Sequence, residues 1–156
     1  MKTRIAVSAC LLGECCKYNG SHNRSEAVLA LEKSFQLIPV CPECFGELPI
    51  PRLPSEIRGG RVYAKNGEDV TAPFEKGAEL ALYVAQENNC PAAVLKERSP
   101  SCGCGKIYDG SFTGTLTDGN GVTAQLFLDN GIAVFGESEI RRLLRLYTDA
   151  KYPDTG

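Results

Sequence analysis

The chain has 156 residues and is 43% hydrophobic, enough for one domain with a real core. That composition excludes a disordered segment or a peptide-scale scaffold. Lys plus Arg is 17 against 19 for Asp plus Glu, a formal net charge of −2 that supplies no bulk field for nucleic acid. A single histidine, His22, excludes a His-rich metal site and two-histidine acid–base chemistry. Eight cysteines in so short a chain are the unusual feature, and they mean either exported disulfides or intracellular metal and redox chemistry. The apolar run Ile5–Ala9 before Cys10 is too short for a leader's core of roughly 7–15 residues. No stretch approaches the ~20 apolar residues of a membrane span. The expectation is a cytoplasmic protein whose cysteines stay reduced or bind metal.

In chain order, Ile5–Ala9 reads as a buried strand. Ser25 can cap a short helix holding Val28, Leu29 and Leu31. Gln36–Val40 is a second buried run ending at Cys41. Pro42, Pro49, Pro51 and Pro54 forbid a regular helix between Cys41 and Arg58. Arg61–Asp69, with Asn66-Gly67 as turn signal, suggests a small hairpin. A long helix follows over about Val70–Asn89, with Phe74, Ala78, Ala81 and Ala85 as a small-residue stripe for close packing on a sheet. Ala92–Lys96 is a third buried strand with the loop Ser99–Gly105 after it. Val122–Asp129 reads as a helix ending at Asn130-Gly131, and Ile132–Phe135 as a strand. Ile140, Leu143, Leu144 and Tyr147 mark a terminal helix. Strands alternating with helices imply one α/β domain over residues 1–156, a Rossmann-like three-layer sandwich with a mainly parallel sheet.

Cys10, Cys41 and Cys102 each fall at or beyond the carboxyl end of a strand. In a parallel sheet those ends share one rim, where open α/β folds bind ligands. Three thiolates on three loops form an incomplete ligand set, and an open fourth position is what a catalytic metal needs. Cys90, after a helix and before Pro91, reads instead as a small buried hydrophobe. Cys41-Pro42-Glu43-Cys44 and Cys102-Gly103-Cys104 together could hold a structural zinc. A thioredoxin-like role for Cys41 and Cys44 lacks the following helix that would activate a thiol. The adjacent Cys15 and Cys16 read as incidental. Glu43 lies close enough to Cys41 to move a proton on a bound substrate. Ser99 and Ser101 flank Pro100 beside Cys102, with no histidine near to make either a nucleophile, so donating or relaying a proton suits them. Asn23, Arg52 and Lys96 could orient a polar substrate.

Several stretches together resemble the thiouracil desulfidases, once catalogued as a domain of unknown function. They are Val7-Ser8-Ala9-Cys10-Leu11-Leu12-Gly13, Cys41-Pro42-Glu43, Pro51 to Ile57, Leu95 to Gly103, Tyr108 to Gly114, and Gly121-Val122-Thr123-Ala124. The likeness runs from about Ile5 to Tyr147. It implies a 4Fe–4S cluster held by Cys10, Cys41 and Cys102, with the fourth iron open to the sulfur of a substrate such as 4-thiouracil. It implies Glu43 as the catalytic glutamate and places the catalytic serine at Ser99 or Ser101. Cys44 and Cys104 stand where related sequences usually carry other small residues.

The chemistry so implied is non-redox. Soft sulfur prefers iron, ligation polarises the C–S bond, and water activated by Glu43 attacks the ring carbon. The product is the oxo pyrimidine plus sulfide, and the expected partner is a small-molecule thiolated nucleobase and not a membrane, with a nucleoside or a base within RNA left open as the substrate. A different class of function remains open: a zinc or iron–sulfur protein whose metal only stabilises the fold or senses redox state.

Overall fold

The computed structural model describes residues 2–148. Met1 and residues 149–156, part of the domain expected over 1–156, lie outside them. In chain order the elements are β1 (Thr3–Ser8), α1 (Glu26–Leu29), β2 (Phe35–Val40), α2 (Pro42–Phe45), β3 (Ser55–Arg58) and β4 (Arg61–Ala64). There follow α3 (Thr71–Glu87), β5 (Ala92–Leu95), β6 (Lys106–Tyr108), β7 (Leu116–Asp118), α4 (Val122–Asp129), β8 (Ala133–Gly136) and α5 (Ile140–Tyr147).

Four strands form one parallel sheet in the order β2-β1-β5-β8. Side chains alternate across it as strand geometry requires. Ala6, Ala93 and Leu95 pack on one face with Ala81, Ala85, Ala124 and Phe127 of α3 and α4. Ile5, Val7 and Val94 pack on the other with Val28, Leu31 and Leu143. The architecture is therefore the three-layer α/β sandwich expected. Phe74, Phe127 and Phe135 are almost wholly buried, each contributing roughly 1.5–3 kcal/mol. Phe135 and Tyr147 meet edge to face with centroids 6.2 Å apart, fixing α5 against β8.

The chain leaves β1 towards β2 on one side and later returns through β5 on the other. The loops after β1 and β5 thus diverge at the carboxyl edge and leave a crevice between them.

Two local expectations change. A helix does form after Cys41, one turn long, because Pro42 sits at its first position, where its missing N–H costs nothing. This turn lies against α3 without intervening side chains. A Cβ on Gly77 would come within 1.8 Å of the Pro42 carbonyl oxygen, and one on Gly46 within 2.1 Å of the Pro73 oxygen. Second, the hairpin pairs β3 with β4 around Gly59-Gly60, both at positive φ, as a two-residue turn of this hand requires. Asn66-Gly67 instead folds the chain back so that Tyr63 bridges Asp69. The β6–β7 hairpin has no forerunner in the sequence reading. Its strands are three residues long, and all of β7 is exposed, so no alternation betrays it.

Candidate functional site

A cavity of about 560 Å³ opens at the carboxyl edge of the sheet. It is lined at the strand ends by Ser8 and Cys10 at the end of β1, Val40 and Cys41 at the end of β2, and Lys96, Ser99 and Cys102 after β5. Residues from the β3–β4 and β6–β7 hairpins complete the wall. Cys10, Cys41 and Cys102 thus border one space, although they are distant in sequence.

Each of these sulfurs has at least one side-chain partner. Asn23 Nδ2 donates to Cys10 Sγ at 3.4 Å. The Ser8 hydroxyl is hydrogen-bonded to Cys102, and its oxygen also accepts the Lys96 N–H at 2.9 Å. The Cys16 thiol lies against Cys41, as does Cys44. Burial pushes the Cys102 thiol up to about 12, opposed by its bond to Ser8. Contact with the Cys16 thiol, and then burial, raises Cys41 well above the usual thiol range. Burial also raises Cys10, opposed by the Asn23 donor. All eight cysteines are free thiols. Among the described residues, no three His, Cys, Asp or Glu side chains are arranged to hold a single metal ion.

Glu43, on the one-turn α2, faces the same cavity. Arg52 Nε donates to its Oε1 at 3.1 Å. The Arg52 side chain, only 8% exposed, also donates to the carbonyls of Pro49 at 3.1 Å and Cys16 at 3.0 Å. Burial raises the Glu43 carboxyl above its ordinary range, and the Arg52 charge opposes that rise. Arg52, expected to orient a substrate, borders the cavity and directs three of its five N–H groups to Glu43, Pro49 and Cys16.

The two serines separate cleanly. Ser99 lines the cavity, and its oxygen accepts the N–H groups of Ser101 and Cys102, each at 3.0 Å. With both lone pairs used, its O–H is left to donate into the cavity. Ser101 is fully buried behind the wall, its hydroxyl paired with Thr123 at 2.8 Å. It helps fasten the Cys102 loop to the start of α4, where Gly121 N donates to Gly103 O at 2.6 Å. Lys96 borders the cavity with its ammonium held by Glu137 at 2.8 Å and the Glu97 carbonyl at 3.1 Å. Asn23 borders it as the donor to Cys10.

The sequence reading missed Ser8, Cys16 and Glu56 as parts of this site. Ser8 and Cys16 were visible in principle, each two or six residues from a strand-end cysteine. Glu56 lies in the stretch Pro51 to Ile57 that carries the resemblance, but its role had no signal, since its partners are backbone groups far along the chain.

A family model described as 2-thiouracil desulfurase matches residues 5–139. The uncharacterized protein YbbK of Bacillus subtilis (strain 168) is 42% identical over 150 residues, covering 90% of this chain and 99% of that protein. The solved structure of TudS, a 4Fe–4S-dependent thiouracil desulfidase, superposes with a TM-score of 0.86 at 44% identity, covering 91% of this chain and 95% of that one. The chain belongs to the 2-thiouracil desulfurase family.

Proposed function

We propose that the protein is a 4Fe–4S-dependent desulfidase, acting as a single domain in the cytoplasm, that converts a thiolated pyrimidine such as 4-thiouracil to its oxo form and releases sulfide. The observation that carries this reading is the meeting of Cys10, Cys41 and Cys102 in one cavity beside Glu43 and Ser99. The donor set fits such a cluster: three thiols on three separate strand ends, each with its own hydrogen-bond partner. The cavity volume falls in the range of small-molecule sites.

When bound, the cluster supplies a soft Lewis acid that holds and polarises the thiocarbonyl sulfur. The protein's own groups manage the protons. Glu43, poorly hydrated and steadied by Arg52, accepts a proton from the attacking water. Ser99 donates its unpaired O–H towards a ring nitrogen. Asn23, Ser8 and Cys16 keep Cys10, Cys102 and Cys41 in place. Sulfur leaves at the oxidation level at which it arrived, so no external reductant is consumed.

Anaerobic purification with iron, sulfide and zinc analysis tests the reading. Turnover of 4-thiouracil that follows iron content and is absent from metal-free protein is the expected result. A protein that carries stoichiometric zinc and leaves 4-thiouracil untouched after iron–sulfur reconstitution would refute it.

A further inference from the structure

The loop between β6 and β7 brings Phe112 to the cavity wall. Phe112 alone is half-buried within residues 111–118, where its neighbours are exposed. Yet it belongs to none of the three apolar clusters of the core. A large aromatic residue thus borders the cavity without joining the core.

Its backbone is held for that purpose. Phe112 has φ of +58°, a conformation that bulky residues rarely adopt and that persists only when neighbours impose it. Glu56 Oε1 accepts the N–H of Gly110 at 3.0 Å and of Phe112 at 3.1 Å. Gly110, at φ +93°, rests directly on β3: a Cβ there would stand 2.7 Å from Arg58 Cβ and 2.8 Å from the Ile57 oxygen. On the outer side, Ser111 Oγ donates to Asp109 at 2.5 Å and meets Thr113 at 2.6 Å. Thr113 meets Thr115 at 2.9 Å. The loop is anchored on both sides, and the ring is presented at low conformational cost.

We propose that Phe112 is a specificity-determining residue that stacks on the ring of the thiopyrimidine, with Glu56 as the residue that positions it. This inference rests on the thiopyrimidine reading of the cavity. A stacked ring sets the plane of the substrate and so the direction of its exocyclic sulfur. It also separates cyclic thiocarbonyls from thiourea, which carries the same C=S group without a ring. Aromatic stacking on a base is worth roughly a 5- to 140-fold difference in affinity.

The chain contains no tryptophan, so Phe112→Trp places a single indole reporter on the loop. In holoenzyme carrying Phe112→Trp, 4-thiouracil should quench the emission saturably, and thiourea at equal concentration should not. In steady state, Phe112→Ala and the bulk-preserving Phe112→Leu should raise KM for 4-thiouracil roughly 5- to 140-fold, with a smaller change in kcat. Phe112→Tyr should restore KM, and Glu56→Gln should raise it by less than Phe112→Leu does. Wild-type KM in Phe112→Leu, with the wild-type enzyme active, would overturn the stacking role and leave the desulfidase reading intact. Saturable quenching in Phe112→Trp, with wild-type holoenzyme that does not turn over thiouracil, would support ring binding and refute the desulfidase reading. Quenching equal for thiourea and 4-thiouracil would overturn the proposal by itself.

Discussion

Replacing Glu43 by glutamine removes one proton acceptor while keeping the side chain's size. Arg52 Nε can still donate to the amide oxygen across the present 3.1 Å, and the guanidinium keeps the Pro49 and Cys16 carbonyls. The cation is therefore not orphaned. The stability loss should stay near 1–2 kcal/mol, below the ~3–5 kcal/mol of breaking a buried ion pair outright. The rate should fall far more. Loss of a general base costs ~10²–10⁴-fold, or about 3–5 kcal/mol on the barrier. The assay is loss of the thiocarbonyl absorption band together with sulfide release, on protein matched for iron content. Arg52→Gln examines the same pair from the other side. Burial raises the Glu43 carboxyl and Arg52 lowers it, so removing Arg52 leaves it protonated to higher pH. Activity lost at neutral pH should then return as pH rises, because a base works only once deprotonated. Near-normal turnover by Glu43→Gln with iron intact would refute Glu43 as the base.

Further consequences concern the ligands, the serines and the packing beneath them. Cys10→Ser, Cys41→Ser and Cys102→Ser should each lose iron by metal analysis, whereas Cys44→Ser, Cys90→Ser and Cys104→Ser should keep it. Cys16→Ser preserves a hydrogen-bonding side chain beside Cys41 and should also retain iron; its loss there would make Cys16 a ligand. Ser99→Ala should lower kcat on an unchanged fold, while Ser101→Ala, which strips a partner from buried Thr123, should lower the melting temperature instead. Gly77→Ala forces α2 off α3, since its Cβ would stand 1.8 Å from the Pro42 oxygen. A loss of about 1–3 kcal/mol in denaturant unfolding, together with poorer iron retention, is expected from such overpacking.

The sheet was legible because its central strands are buried on both faces and its strands read as short apolar runs: Ile5–Ala9, Gln36–Val40 and Ala92–Lys96 each lie within a residue or two of an observed strand, although β2 at the edge leaves Gln36 and Pro39 exposed. Parallel strands share a direction, so a cysteine after each one already placed three thiols on a common rim. The small-residue stripe of α3 was legible for a similar reason, and Phe74, Ala78, Ala81 and Ala85 are all buried. What stayed hidden depends on contacts without a sequence period. Glu56 grips two backbone N–H groups more than fifty residues away, and Arg52 reaches the Cys16 carbonyl across a proline-rich loop. The one-turn helix at Pro42 was hidden by the same prolines that bound it. That Ser99 borders the cavity while Ser101 is buried behind it depends on tertiary packing, which neighbouring positions in a turn do not reveal.

Hydrolysis without net electron transfer is the central claim, and the fate of a single oxygen atom tests it most directly. 4-Thiouracil should be turned over anaerobically in ¹⁸O-labelled water without added reductant, with uracil and sulfide quantified together. The account predicts one sulfide per uracil and one labelled oxygen in each uracil. Uracil without label, or turnover only when a reductant is supplied, would contradict it.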